Sequence, residues 1–213
     1  SVLDPGVNDS VRKLFRSTAT GALALGMIMQ TGLRNMYAKF PITSVNDIKG
    51  KKVRVQASKT EDVFMNAYGA LPTHMPFGQV YTALQTGVVE VAENGIGTYL
   101  SNKHYEVAPV LSLTQHEANN NVILVSEKTW NSFDKNQQHW VEQAFAFAQH
   151  YEVPRSLEID RESIDKLKKI GVNIVTNVDK KSLSNTARPI IDKEAAVLGP
   201  LAEQILKQIR ALG

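Results

Sequence analysis

Between Lys51 and Asn102 the apolar pattern changes period repeatedly, and this alternation restricts the possible folds more than any other feature of the chain. In Lys51–Ala57, Val53 and Val55 alternate with Arg54 and Gln56, as one face of a strand requires, and Ile48-Lys49-Gly50 turns the chain into it. Arg54 therefore points away from the apolar side. Ser58 followed three residues later by Glu61 has the spacing of a capping box, which opens a helix through Phe64, Met65 and Tyr68 that stops at Gly69. Pro72–Met75 is extended, a second helix runs through Val80, Tyr81 and Leu84 to Gly87, and Val88–Ala92 reads as another strand. Glu93-Asn94-Gly95 then leads into a short helix near Thr98–Asn102. The order β-α-β-α-β-α predicts an α/β fold with parallel strands and right-handed crossovers.

The flanks extend the pattern. Val7, Val11, Leu14, Phe15 and Thr18 fit one face of a helix, Ala22–Met29 reads as a buried strand, and a polar crossing segment follows. Leu111–Leu113 and Val122–Val125 are two further strands separated by the polar stretch Gln115–Asn121. Asp134 with Gln137 resembles another capping box, and a helical pattern continues through Trp140, Ala144 and Phe147 to about Leu167, with Pro154 as a point of kinking. At about 1.5 Å per residue such a helix is roughly 50 Å long, more than one small lobe needs. Val172–Thr176 as a strand and Lys193–Ala211 as a helix close the chain, and no repeat of solenoid or propeller period occurs.

Composition removes several classes of function. The 213 residues contain no cysteine, which excludes disulfides, thiol catalysis and cysteine-ligated zinc. Twenty-four Lys and Arg against 21 Asp and Glu give a net charge of +3, too weak and too spread for nucleic-acid binding. The apolar run Gly21–Met29 is half the roughly 18 residues of a membrane span. No secretory signal is visible at Ser1, as a mature or trimmed chain also requires.

Catalytic and metal motifs fail on spacing. His116-Glu117 begins like a zinc-protease helix, but Asn120 stands where the second histidine belongs. Gly95-Ile96-Gly97 has Leu100 in place of the third glycine of a dinucleotide fingerprint. Asp160 and Glu162, among Arg161 and Lys166, read as a solvated helix face, and Trp140, Phe145, Phe147 and Tyr151 as core. No catalytic residue, metal site or cofactor is therefore assigned. What remains is Arg54 with Asn94, both at the carboxyl end of a predicted parallel strand just before a helix, where open α/β sheets place ligands. A guanidinium matches a carboxylate with two parallel hydrogen bonds, and an amide both donates and accepts. An arginine between valines is equally an ordinary edge-strand residue, and Arg34 in Gly32–Asn35 reads as surface on spacing alone.

A longer set of residues carries a resemblance. Asp47-Ile48-Lys49-Gly50-Lys51-Lys52-Val53-Arg54-Val55, Pro72-Thr73-His74-Met75-Pro76-Phe77, Val80-Tyr81-Thr82-Ala83-Leu84-Gln85-Thr86-Gly87, Glu93-Asn94 and Lys103-His104-Tyr105-Glu106-Val107 resemble the solute-binding proteins of tripartite ATP-independent periplasmic (TRAP) transporters. Val91-Ala92 departs from the pair common in that family before Glu-Asn.

The resemblance implies a two-lobed, periplasmic-binding-protein-like α/β fold with a long helix along both lobes. Residues 1–31 and 120–160 would belong to lobe one, residues 32–119 and 161–213 to lobe two, with the helix at about 135–168 bridging them. It implies a periplasmic protein that closes around a small organic acid, a sugar acid or a hydroxy or dicarboxylic acid, and delivers it to a membrane permease, without catalysis. Arg54 would pair with the ligand carboxylate, Asn94 supply a pocket amide, Phe77 pack on the ligand and Arg34 stand as a second pocket arginine. His116 and Asn119-Asn120-Asn121 would suit ligand hydroxyls. An N-terminal stretch of small-domain size, about 100 residues, is expected before Ser1 by the same comparison, so a preceding segment or a second chain is expected to complete lobe one. A ligand-sensing domain of the same fold and an α/β hydrolase or transferase are the alternatives.

Overall fold

A computed structural model describes residues 4–18 and 20–212, and the expectation attached to the chain start at Ser1 lies outside them. The elements in chain order are α1 (Pro5–Ser17), β1 (Ala22–Ala38), β2 (Lys52–Val55), α2 (Lys59–Ala67), β3 (Leu71–His74), α3 (Val80–Thr86), β4 (Val91–Gly95), α4 (Ile96–Ser101), β5 (Val110–Ser126), α5 (Glu127–Ser132), α6 (Lys135–Lys169), β6 (Asn173–Val175), α7 (Lys180–Leu198) and α8 (Pro200–Ala211). They group into two units, residues 1–30, 120–157 and 192–213 in one and residues 31–119 and 158–191 in the other.

In the first unit, Asp4 caps α1 by accepting the Val7 N–H at 2.8 Å, and α1 packs against α8. The sequence reading assigned 192–213 to lobe two; burial of the amphipathic α8 on α1 groups those residues with this unit instead. Asn8 accepts the Met27 N–H, and Gln149 of α6 donates to the Met27 carbonyl at 2.6 Å, so polar side chains from two helices hold β1. Gly26 permits this approach, since a Cβ there would stand 2.7 Å from the Phe145 ring. Phe145 is buried, but Trp140, Phe147 and Tyr151 are 63%, 75% and 65% exposed, which corrects their assignment to the core. At 3.6 residues per turn those three share one stripe of α6, and Phe145 lies on the other side.

The second unit contains the strands that matter for the site. The sheet order is β3-β2-β4-β1-β5-β6, with β2 parallel to both β3 and β4, β5 parallel to β6, and β1 antiparallel to β4. The expected all-parallel sheet is therefore mixed. The polar segment after Met29 continues β1 to Ala38, and Gln115–Asn121 continues β5, so two predicted breaks are strand. Their polar side chains are satisfied within the sheet: Asn35 donates to the Leu33 carbonyl and accepts the Gln115 N–H.

Each face of this sheet has its own core. Tyr37, Leu84, Ala92, Tyr99, Leu111 and Leu167 form one, and Met36, Ile42, Val53, Val55, Val91 and Leu183 the other. Three further differences have local causes. Glu61 spends its carboxylate on the Gln56 N–H at 2.7 Å and Ser58 makes no side-chain cap, so the predicted box is not formed, whereas the Asp134–Gln137 box is. Asp160 is only partly exposed, accepts the Gly97 and Leu33 N–H groups and is pushed up to about 6 by burial, so it is no solvated-face acid. Finally, Gly199-Pro200 separates α7 from α8 where one helix was expected.

Candidate functional site

Period two decides where each candidate points. Val53 and Val55 bury into the Met36 core, so Arg54 between them leaves the opposite face of β2. β2 lies between β3 and β4, which removes the edge-strand reading. Arg54 is 4% exposed; its Nε and Nη2 donate to the Met75 carbonyl at 3.3 and 3.1 Å. Its guanidinium carbon stands 5.9 Å from the centroid of the Phe77 ring. Among the described residues no carboxylate pairs with it. A buried charge without a counter-ion is costly, and here a carbonyl and a ring are what face it.

Around Arg54 the structure assembles aromatic groups. Phe77, in a short 3-10 turn before α3, is 38% exposed and lies 5.6 Å from the His104 ring. His104 Nδ1 is 2.8 Å from the Tyr37 hydroxyl, and Tyr37 is completely enclosed. Burial first, and the Arg54 charge second, hold His104 down to about 4, so the imidazole is neutral near pH 7. A neutral ring does not compete with Arg54 for an anion. Asn94 faces the same side, opposite Asn35 in the β1–β4 register. Its Oδ1 accepts the Gly95 N–H at 2.9 Å, which fixes the amide and leaves its NH2 to donate.

Arg34 is placed differently. It shares the Met36 and Glu93 side of the β1–β4 ladder. Far from being surface, it is buried, and its Nε and Nη2 grip Glu93 Oε2 and Oε1 at 2.5 and 2.6 Å. Nη1, 3.5 Å from Asn119 Oδ1, is what the fork has left to offer. The structure thus brings Arg54 and Phe77 together, turns Asn94 to the same sheet face and sets Arg34 on the other with Glu93.

Sequence reasoning missed His104, Tyr37 and Glu93. Tyr37 was findable, since alternation along β1 puts it beside Asn35, but the segment was read as a crossing; His104 lies between residues whose periodicity carries no signal. Glu117 is read from the sequence only within a zinc motif, His116 both there and as a group suited to ligand hydroxyls. They lie on a strand, with His116 Nε2 3.8 Å from Glu93 Oε2.

Residues 2–196 match the family DctP, bacterial extracellular solute-binding protein, family 7. The chain belongs to this family. A solute-binding protein of Sulfitobacter sp. (strain NAS-14.1) is 33% identical over 84% of this chain and 54% of its own length. The sialic acid-binding periplasmic protein SiaP of Vibrio cholerae is 29% identical over 78% of this chain and 55% of its own. Among solved structures, a TRAP periplasmic solute-binding protein from Xanthobacter autotrophicus Py2 with bound β-D-galacturonate superposes with a TM-score of 0.84 at 30% identity, covering 98% of this chain and 71% of that one. The fold class is accordingly the two-lobed α/β class of those proteins. The chain spans about half the length of the curated relatives it matches, 54% and 55% of the first two.

Proposed function

We propose that this chain carries the carboxylate-reading part of an extracytoplasmic solute-binding protein that captures a small organic acid for a TRAP permease. The observation that carries the reading is Arg54: a guanidinium almost wholly buried, backed by a carbonyl and an aromatic ring and paired with no acid among the described residues. Its planar fork takes the ligand carboxylate, the Asn94 amide donates to a neighbouring oxygen, and Phe77 covers the apolar face of the solute. Arg34 adds at most its Nη1, once that turns from Asn119 Oδ1.

Relatives indicate the solute class. The Vibrio cholerae relative binds sialic acid, and solved family structures hold galacturonate or glucuronate. All are sugar acids, which combine a carboxylate with a ring that an aromatic side chain can cover. The names of those relatives support a periplasmic location and delivery to a TRAP permease. Opening and closing of two lobes would admit and release the solute. No step of this reading makes or breaks a covalent bond.

Titration calorimetry with D-galacturonate, D-glucuronate, sialic acid and succinate tests the reading, with the neutral sugars D-galactose and D-glucose as controls. Heat is expected from at least one acid and from neither sugar, and it should vanish in Arg54→Ala. Binding of the neutral sugars as tightly as their acids would overturn it.

A further inference from the structure

Two glycines on different elements give way to one turn of α6. Gly32 of β1 has φ +59°, and a Cβ there would stand 2.0 Å from Asp160 Oδ2, while a Cβ on Gly97 of α4 would stand 3.3 Å from Ile159 Cγ2. Without those two side chains, Ile159-Asp160 closes on β1 and α4 together. All four residues belong to the second unit.

Asp160 uses that approach. Its carboxylate accepts the Leu33 N–H of β1 and the Gly97 N–H of α4. A helix leaves its first N–H groups without internal partners, and Gly95, at the N-cap of α4, has no side chain to take them. The cap that α4 lacks in its own sequence is thus supplied from α6. Burial pushes Asp160 up to about 6 against the pull of the two N–H bonds, and its Oδ1 is buried and meets no donor among the described residues.

Next to these bonds lies Asn94. It precedes Gly95, and its Oδ1 accepts the Gly95 N–H at 2.9 Å. The direction of its remaining NH2 is therefore set by the backbone at Gly95, and that backbone by the first turn of α4.

We propose that Asp160 is a positioning residue for solute capture, which caps α4 from α6, ties that cap to β1 and so fixes the Asn94 amide; this rests on the reading of Asn94 as a donor to the solute. Without the carboxylate, the first turn of α4 would sample positions in which the amide misses the solute, and apparent affinity would fall with the fraction of molecules left competent. A charged acceptor makes a bond roughly twice as strong as a neutral one, so protonation of Asp160 would loosen the same hold. The charged residues on the packed elements leave that protonation to burial and the backbone bonds: Arg34 on β1 closes on Glu93, α4 carries no charge, and Glu158, Arg161 and Glu162 flank Asp160 along α6.

Titration calorimetry with D-galacturonate, D-glucuronate, sialic acid and succinate, at pH 7 and pH 5, tests the assignment on the parent, Asp160→Asn, Asn94→Ala and the double variant. Asp160→Asn keeps the shape of the side chain and removes its charge, so it should bind about fivefold more weakly than the parent at pH 7. The gap should close at pH 5, where the parent carboxylate is itself protonated. In the Asn94→Ala background the substitution should weaken binding no further, because its effect passes through that amide. Hydrogen exchange of the Gly97 amide, which needs no solute, should be faster in Asp160→Asn than in the parent at pH 7. Equal affinity of the parent and Asp160→Asn at pH 7, the same loss with and without the Asn94 amide, or unchanged exchange at Gly97 each overturns the positioning role. A parent that binds none of the acids overturns the reading of the solute site and the positioning role with it, whereas the other three outcomes in a parent that does bind overturn the positioning role alone.

Discussion

Arg54 and Arg34 leave one sheet toward opposite faces, and of the two only Arg34 has its charge matched among the described residues. Val53 and Val55 turn Arg54 to the Tyr37 side, and the pairing of Met36 with Glu93 places Arg34 on the other. Arg34 closes on Glu93 with two short bonds, while Arg54 meets a carbonyl and a ring. Two residues of the same type are thereby given different surroundings, a matched carboxylate for one and a carbonyl with a ring for the other.

Arg54→Ala should abolish acid binding without unfolding the protein. Losing one partner of a buried charged pair costs on the order of 2 to 5 kcal/mol, or roughly 30-fold to several thousand-fold in affinity. Arg54→Lys should lose most of it too, because a point charge cannot reproduce two parallel hydrogen bonds. Calorimetry placing either variant within threefold of the parent would contradict this.

Arg34→Met should act on stability first. It strands the buried Glu93 carboxylate, at a cost of about 3 to 5 kcal/mol, and Glu93→Met in the same chain should restore most of the loss because a well-packed apolar pair replaces a buried ion pair at little cost. Urea denaturation of the two single variants and the double variant gives the coupling. An additive double variant would show that the pair is not a unit.

Acid should destabilise the protein through its histidines. Burial holds His104 and His116 down to about 4, below the unfolded value of 6.5, so both are neutral when folded and take up protons more readily when unfolded. Their contribution is complete above about pH 6.5 and is lost as pH falls toward 4, up to roughly 3 kcal/mol for each. Glu117, pushed up to about 7 by burial, has the opposite sign, its contribution being lost as pH rises through 7. Urea midpoints at pH 7 and pH 4.5 should differ less in His104→Gln than in the parent; an unchanged difference would assign the acid sensitivity elsewhere.

Gly32→Ala should be strongly destabilising. The backbone there has φ +59°, which costs a side chain about 1 to 2 kcal/mol, and a Cβ would stand 2.0 Å from Asp160 Oδ2. Asp160→Ala in the same chain removes the collision but not the backbone strain, so thermal melting should recover only in part. Full recovery would mean that the backbone conformation relaxes without cost.

Local pattern alone determined a good part of this protein. Alternation in Val53-Arg54-Val55 set the direction of Arg54, the Asp134–Gln137 spacing started α6 where the structure starts it, and helical periodicity carried that helix to about Leu167, close to its end at Lys169. These features depend on residues within a few positions of one another, and backbone geometry reads them directly. Tertiary structure decided the rest. Gly32–Asn35 and Gln115–Asn121 are polar enough to read as loops, but pairing within the sheet satisfies their backbone, and Asn35 bonds across to Gln115. That continuation makes β1 antiparallel to β4, places Met36 against Glu93 and so delivers Arg34 to a partner 59 positions away. A charge is matched or left open by what lies across the fold from it, and no local spacing records that distance.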